Sequence, residues 1–152
     1  EMATQFAKCQ FTGIDLVDVF TRDRAPKNCR FQLANALELT SFPSSYFDYI
    51  HQRMLVFNIP TARYTELFMG YHRLLKSGGC LELVESDLQL QPAGPVSARL
   101  NAMLRLACRA RGVDLDYATE LDRSLRAAGF RHVSREVLRV PVGAWAGVTG
   151  EM

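Results

Sequence analysis

Three groups able to do chemistry stand where short apolar runs stop. The run Phe11-Thr12-Gly13-Ile14-Asp15-Leu16 carries the carboxylate of Asp15. If the run is a strand of a parallel sheet, its carboxyl end is where such sheets bind ligands, and a carboxylate there can accept both hydroxyls of a ribose. A helix N-cap or a surface carboxylate is the plainer reading, and Asp18 is a neighbour of the same type. His51, Gln52 and Arg53 follow the run that begins at Tyr46. An imidazole titrates near neutrality and can serve as general base for an oxygen or nitrogen nucleophile; a positioning or structural role is the commoner one. Arg53 can hold a carboxylate or pair with a nearby acid.

Other residues invite a functional reading less strongly. Glu82 and Glu85 resemble a catalytic carboxylate pair, but along a strand an odd spacing sends them to opposite faces. Arg105 and Arg109 lie one helical turn apart, as an anion site or as a solvated face. Trp145 either borders a pocket or caps a core.

The elements that must position these groups alternate in type. Cys29-Arg30-Phe31-Gln32-Leu33 alternates apolar and polar residues, and Tyr46-Phe47-Asp48-Tyr49-Ile50-His51 follows the turn Phe42-Pro43-Ser44-Ser45, so with the run ending at Asp15 these predict three strands. Tyr64, Leu67, Phe68, Tyr71, Leu74 and Leu75 recur at helical spacing, and Lys76-Ser77-Gly78-Gly79 predicts the helix stop. Cys80-Leu81-Glu82-Leu83-Val84-Glu85 reads as a buried strand, and Pro92 and Pro95 mark the loop before a helix over 97–111. A further helix is expected over 116–128, with Asp122 and Arg126 as an i,i+4 pair, and a last strand over 132–140 with Val133, Val137, Leu138 and Val140. Strands alternating with helices predict an α/β fold with a largely parallel sheet.

Composition narrows the class. A chain of 152 residues with 48% hydrophobic content suits one domain with a sizeable core. The formal charge of +2 gives none of the electrostatic footprint of a nucleic-acid binder. Cys9, Cys29, Cys80 and Cys108 form no CxxC pair and are expected to be reduced, buried thiols of an intracellular protein rather than a disulfide framework or metal site. No run approaches the roughly 18 apolar residues of a membrane span. The opening residues, Glu1 to Ala7, read as the inside of an amphipathic helix without a cap.

Gly13-Ile14-Asp15-Leu16, the stretch from Asn35-Ala36-Leu37-Glu38-Leu39 through Phe47-Asp48-Tyr49-Ile50-His51, and Tyr71-His72-Arg73-Leu74-Leu75-Lys76-Ser77-Gly78-Gly79 together resemble class I S-adenosylmethionine (SAM) dependent methyltransferases. FDYIHQR, LLKSGGCLELVE, AAGF and VPVGAW are similar to fungal methyltransferases of secondary metabolism. The resemblance implies a Rossmann-like sheet of order 3-2-1-4-5-7-6 with helices on both faces. Residues 11–15 would be family strand 2, 29–33 strand 3, 47–50 strand 4, 80–85 strand 5 and 132–140 strand 6. Strand 1, with its glycine-rich cofactor loop, has no counterpart, and strand 7 would lie beyond Met152. The 152 residues would thus be a partial domain whose gapped sheet is expected to be unstable alone.

The resemblance also implies roles. SAM is the cofactor and a small molecule the methyl acceptor. Asp15 would bind the SAM ribose; Asn35, where many members carry an acid, and the backbone of Ala36 would meet the adenine, flanked by Leu37; and His51 belongs to the cofactor-facing set, where the sheet meets the methionine part of SAM and the acceptor. No residue is assigned as catalytic and no metal is implied. Ser77 stands where the family usually has proline, and Gly78 and Gly79 serve the turn. Two alternatives stay open: an NAD(P)-binding oxidoreductase, which shares the carboxylate after strand 2, and a methyltransferase-like regulatory protein that no longer binds SAM.

Overall fold

A computed structural model describes residues 2–143. Trp145 lies outside the described residues. The elements are α1 (Met2–Gln5), β1 (Phe11–Asp15), β2 (Cys29–Leu33), β3 (Phe47–Arg53), α2 (Tyr64–Leu74), β4 (Leu75–Val84), α3 (Pro95–Arg109) and α4 (Leu121–Ala127). The four predicted strands up to Glu85 are present, but β3 is longer than expected: His51, Gln52 and Arg53 belong to the strand and do not follow it.

β1 pairs in parallel with β2, from Phe11 opposite Cys29 to Asp15 opposite Leu33, and β3 pairs in parallel with β4. The two pairs are separate sheets. In the family order the break falls between strands 2 and 4, the place of strand 1, which no described residue fills. The two pairs nevertheless share one core. α2 buries Tyr64, Leu67, Phe68, Tyr71 and Leu74, the stripe its spacing predicted, against Leu39, Val56, Ile59 and Leu121, while Ile14, Ala34, Ala36 and Leu37 pack on from the other sheet.

The boundary between α2 and β4 differs from the sequence expectation. The helix ends at Leu74, because Leu75 is already extended at φ −75°, ψ 139°, and not at the glycines. Leu75 pairs with Phe47 while Cys80 pairs with Tyr49, so the intervening residues bulge out of the ladder. Gly78, at φ +79°, turns inside that bulge. A Cβ on Gly79 would lie 2.9 Å from the Lys76 carbonyl and 3.1 Å from that of Asp48, so side-chain-free backbone is what lets the bulge close.

Two further expectations are corrected. Residues 132–140 form no strand, and Val137, Leu138 and Val140 are 68–76% exposed. A β-rich sequence becomes a strand only beside a ladder partner, and among the described residues none stands there. Of the four cysteines only Cys108 is buried: Cys29 is half-buried, Cys80 is exposed on β4 and Cys9 is exposed after α1. No helix among the described residues is long and apolar enough to cross a membrane.

Candidate functional site

The carboxyl end of β1 is tied to the loop that follows β2. Asp15 ends the strand, and its carbonyl accepts the Ala34 N–H at 2.9 Å, which sets Ala34, Asn35 and Ala36 beside it. The exposed Asp15 carboxylate accepts the Val17 N–H on Oδ1 at 3.0 Å; among the described residues its Oδ2 has no hydrogen-bond partner. Asn35 is committed to its own turn: Oδ1 accepts the Leu37 N–H at 3.0 Å and Nδ2 donates to Glu38 Oε1 at 3.2 Å. That is the local behaviour of a turn asparagine, and it leaves one lone pair on Oδ1. Ala36 and Leu37 are half-buried against the core.

His51 is placed in the other sheet. Strand alternation puts Tyr49, His51 and Arg53 on the outward face of β3, and His51 pairs in register with Glu82 of β4. His51 Nδ1 lies 2.7 Å from Glu82 Oε2, and the Tyr49 hydroxyl donates to that same oxygen. Hydrogen bonds from Tyr49 and then His51 hold the Glu82 carboxyl below its usual range. Partial burial, followed by the neighbouring carboxylate, pushes the Tyr49 phenol up to about 12. Among the described residues no hydrogen bond or ion pair joins this cluster to Asp15.

The opposite, inward face holds a second polar network. Glu85 Oε1 accepts from Gln52 Nε2 at 2.6 Å and from the Leu55 N–H at 3.0 Å, and Oε2 accepts from the Val56 N–H at 3.0 Å. The buried Tyr71 hydroxyl donates to Gln52 Oε1 at 2.8 Å. Between these anchors Met54 takes φ +56°, so Glu85 holds a left-handed turn where β3 leaves the sheet. Glu82 and Glu85 thus point to opposite faces, as their spacing predicts. The sequence did not reveal that each finds a separate set of partners on β3; strand alternation gives the face, but register gives the partner. Arg105 bonds to Asp116 and to Gln89 Oε1 at 3.2 Å, so it fastens α3 and is not free for an anion.

The family model described as a methyltransferase domain matches residues 1–83, more than half of the chain. The chain belongs to the methyltransferase domain family. Fungal proteins are among its relatives: Methyltransferase pytC of Aspergillus terreus is 28% identical over 127 residues, covering 80% of this chain and 38% of the relative. Secondary metabolism regulator LAE1 of Cochliobolus heterostrophus is 26% identical over 153 residues, covering 95% and 49%, and secondary metabolism regulator laeA of Coprinopsis cinerea is 30% identical over 157 residues, covering 93% and 38%. The chain spans less than half the length of these relatives. The crystal structure of the [4+2]-cyclase SpnF matches with a TM-score of 0.58 and 24% identity, over 84% of this chain and 45% of that one. That likeness shows the fold, a Rossmann-like methyltransferase sheet.

Proposed function

We propose that the chain is part of a SAM-dependent methyltransferase domain acting on a small molecule. The observation that carries this reading is the stitched end of β1, where the Asp15 carboxylate and the Asn35–Ala36 loop lie side by side in a chain of the methyltransferase family. The residues fit a nucleoside. Asp15 Oδ2 is open to ribose hydroxyls, the remaining Asn35 Oδ1 lone pair can accept from the adenine amino group, and Ala36 and Leu37 offer backbone and apolar surface to the ring. His51 faces the methionine part of SAM and the acceptor in this reading. When bound, SAM supplies an electrophilic methyl group, and what the protein adds is chiefly alignment with the acceptor atom.

Calorimetric titration of SAM into the full-length protein and into its D15A variant tests this. Asp15→Ala should weaken SAM binding at least tenfold, whereas Asp18→Ala should leave it unchanged. Equal affinity in D15A sinks the ribose assignment, and binding of NAD in place of SAM sinks the reading as a whole.

The names of the LAE1 and laeA relatives favour a second reading, a methyltransferase-like regulatory protein. Full-length protein, of the length of these relatives, without SAM affinity would support that one.

A further inference from the structure

α3 packs on the molecule by one face. Leu104 and Cys108 join Val113, Leu115 and Leu88 in a small apolar cluster. Asn101 grips the backbone of Leu90 twice, its Oδ1 accepting the Leu90 N–H and its Nδ2 donating to the Leu90 carbonyl, each at 3.1 Å. Arg105 completes the fastening through Asp116 and Gln89. The opposite face is apolar and open: Val96, Leu100, Met103 and Leu106 are 83%, 54%, 59% and 72% exposed, and Ala107 is exposed beside them. Val96, Leu100, Met103 and Ala107 follow one another at steps of four, three and four, the seam spacing by which one helix packs along another. Single apolar side chains on a surface need no explanation, but a continuous stripe along one helix marks a contact surface.

The charges around the stripe select its occupant. Residues 95–111 carry Arg99, Arg105, Arg109 and Arg111 and no acid. Arg105 is engaged with Asp116, whereas Arg99, Arg109 and Arg111 are exposed, and among the described residues none of these three has a side-chain hydrogen bond or ion pair. A second copy laid on the stripe would bring arginines toward arginines with no acid to offset them, which disfavours pairing. An anionic membrane would suit the charge. The stripe is narrow for that purpose, contains no aromatic residue and runs out at Ala107, where a helix can approach closely but a bilayer gains little.

We propose that the outer face of α3 docks an amphipathic helix of another protein, one whose apolar stripe is flanked by acidic residues. Val96, Leu100 and Met103 supply the seam, Ala107 lets the partner's backbone come close, and Arg99 and Arg109 pair with the acids on the partner's rim. The contact uses neither Asp15 nor the Asn35–Ala36 loop, so it stands or falls independently of SAM binding.

Fluorescence anisotropy with the full-length protein tests this. The probe is a labelled peptide of about three heptads with leucine at a and d and glutamate at e and g, and its control carries lysine in place of glutamate. The glutamate peptide should bind and the lysine peptide should not. Leu100→Glu and Met103→Glu, both at positions more than half exposed, should leave the thermal melt unchanged and each raise the Kd about tenfold or more. Arg99→Glu combined with Arg109→Glu should invert the preference, so that the lysine peptide binds and the glutamate peptide does not. Salt at about 1 M, where the screening length is roughly 3 Å, should weaken the wild-type complex. No binding of the glutamate peptide by the wild type overturns the proposal, as does equal binding of the two peptides or unchanged affinity in both seam variants. Sedimentation supplies two further arms. A wild-type dimer that Met103→Glu dissociates makes a second copy the occupant, and binding to phosphatidylserine vesicles that Met103→Glu abolishes makes it a membrane; either result overturns the partner helix.

Discussion

Gln52 and Glu85 join side chain to side chain at 2.6 Å where β3 leaves its sheet, and the same carboxylate receives the N–H groups of Leu55 and Val56. Gln52 is only 4% exposed, so its amide has little access to water as a substitute. Glu85→Ala leaves several polar groups unpaired and should cost about 2–4 kcal/mol in urea denaturation. Glu82→Ala, three residues earlier on the exposed face, should change stability by no more than about 0.5 kcal/mol. Equal losses in the two variants would mean that the network at Glu85 does not hold the turn.

Two glycines, one inside α2 and one inside the bulge that follows it, should respond oppositely to alanine. Gly70 lies within α2 and an added Cβ meets nothing within 4 Å, so Gly70→Ala should stabilise by roughly 0.5–1 kcal/mol through helix propensity. At Gly79 the new methyl would strike two backbone carbonyls, which cannot swing aside as a side chain would. Gly79→Ala should destabilise by about 1–3 kcal/mol. Thermal melts of the pair give the comparison.

Leu67 is 1% exposed at the centre of the cluster that both sheets share. Leu67→Ala should lose about 2–5 kcal/mol from the transfer and cavity terms together. If the two strand pairs unfold as one unit, fluorescence and backbone circular dichroism should shift by the same amount in this variant.

α3 is fastened by a bond that acid should release. The hydrogen bond from Arg105, with Arg109 adding charge nearby, holds the Asp116 carboxyl below its usual value of 3.8. A carboxyl whose pKa is depressed by folding contributes stability that is complete above the unfolded value and lost as pH falls through the folded one. Wild type should therefore melt higher than Asp116→Asn at pH 7, and the gap should close below about pH 3.8. A gap undiminished between pH 7 and pH 2 would rule out the ion pair as its source.

Sequence alone determined the four strands up to Glu85, the apolar stripe of α2 and the faces of each. The 3.6-residue stripe from Tyr64 to Leu74 and the alternation around Asp15, Phe31 and Ile50 are local properties, since each residue's side is set by its own backbone geometry. For the same reason Glu82 and Glu85 could be assigned to opposite faces without a structure. Partners and ends were not local. The extent of β3 past His51 and the bulge at Gly79 depend on which residues lie across the ladder, and 132–140 fails to become a strand for want of a neighbour. Asn35 and Ala36 were placed near Asp15 by resemblance, but the bond from Ala34 to the Asp15 carbonyl that fixes them exists only once β1 and β2 pair. The convergence of Tyr49 and His51 on Glu82 joins residues more than thirty positions apart. Only the parallel register of β3 and β4 brings that carboxylate within reach, because a ladder shifted by one residue would turn it to the core.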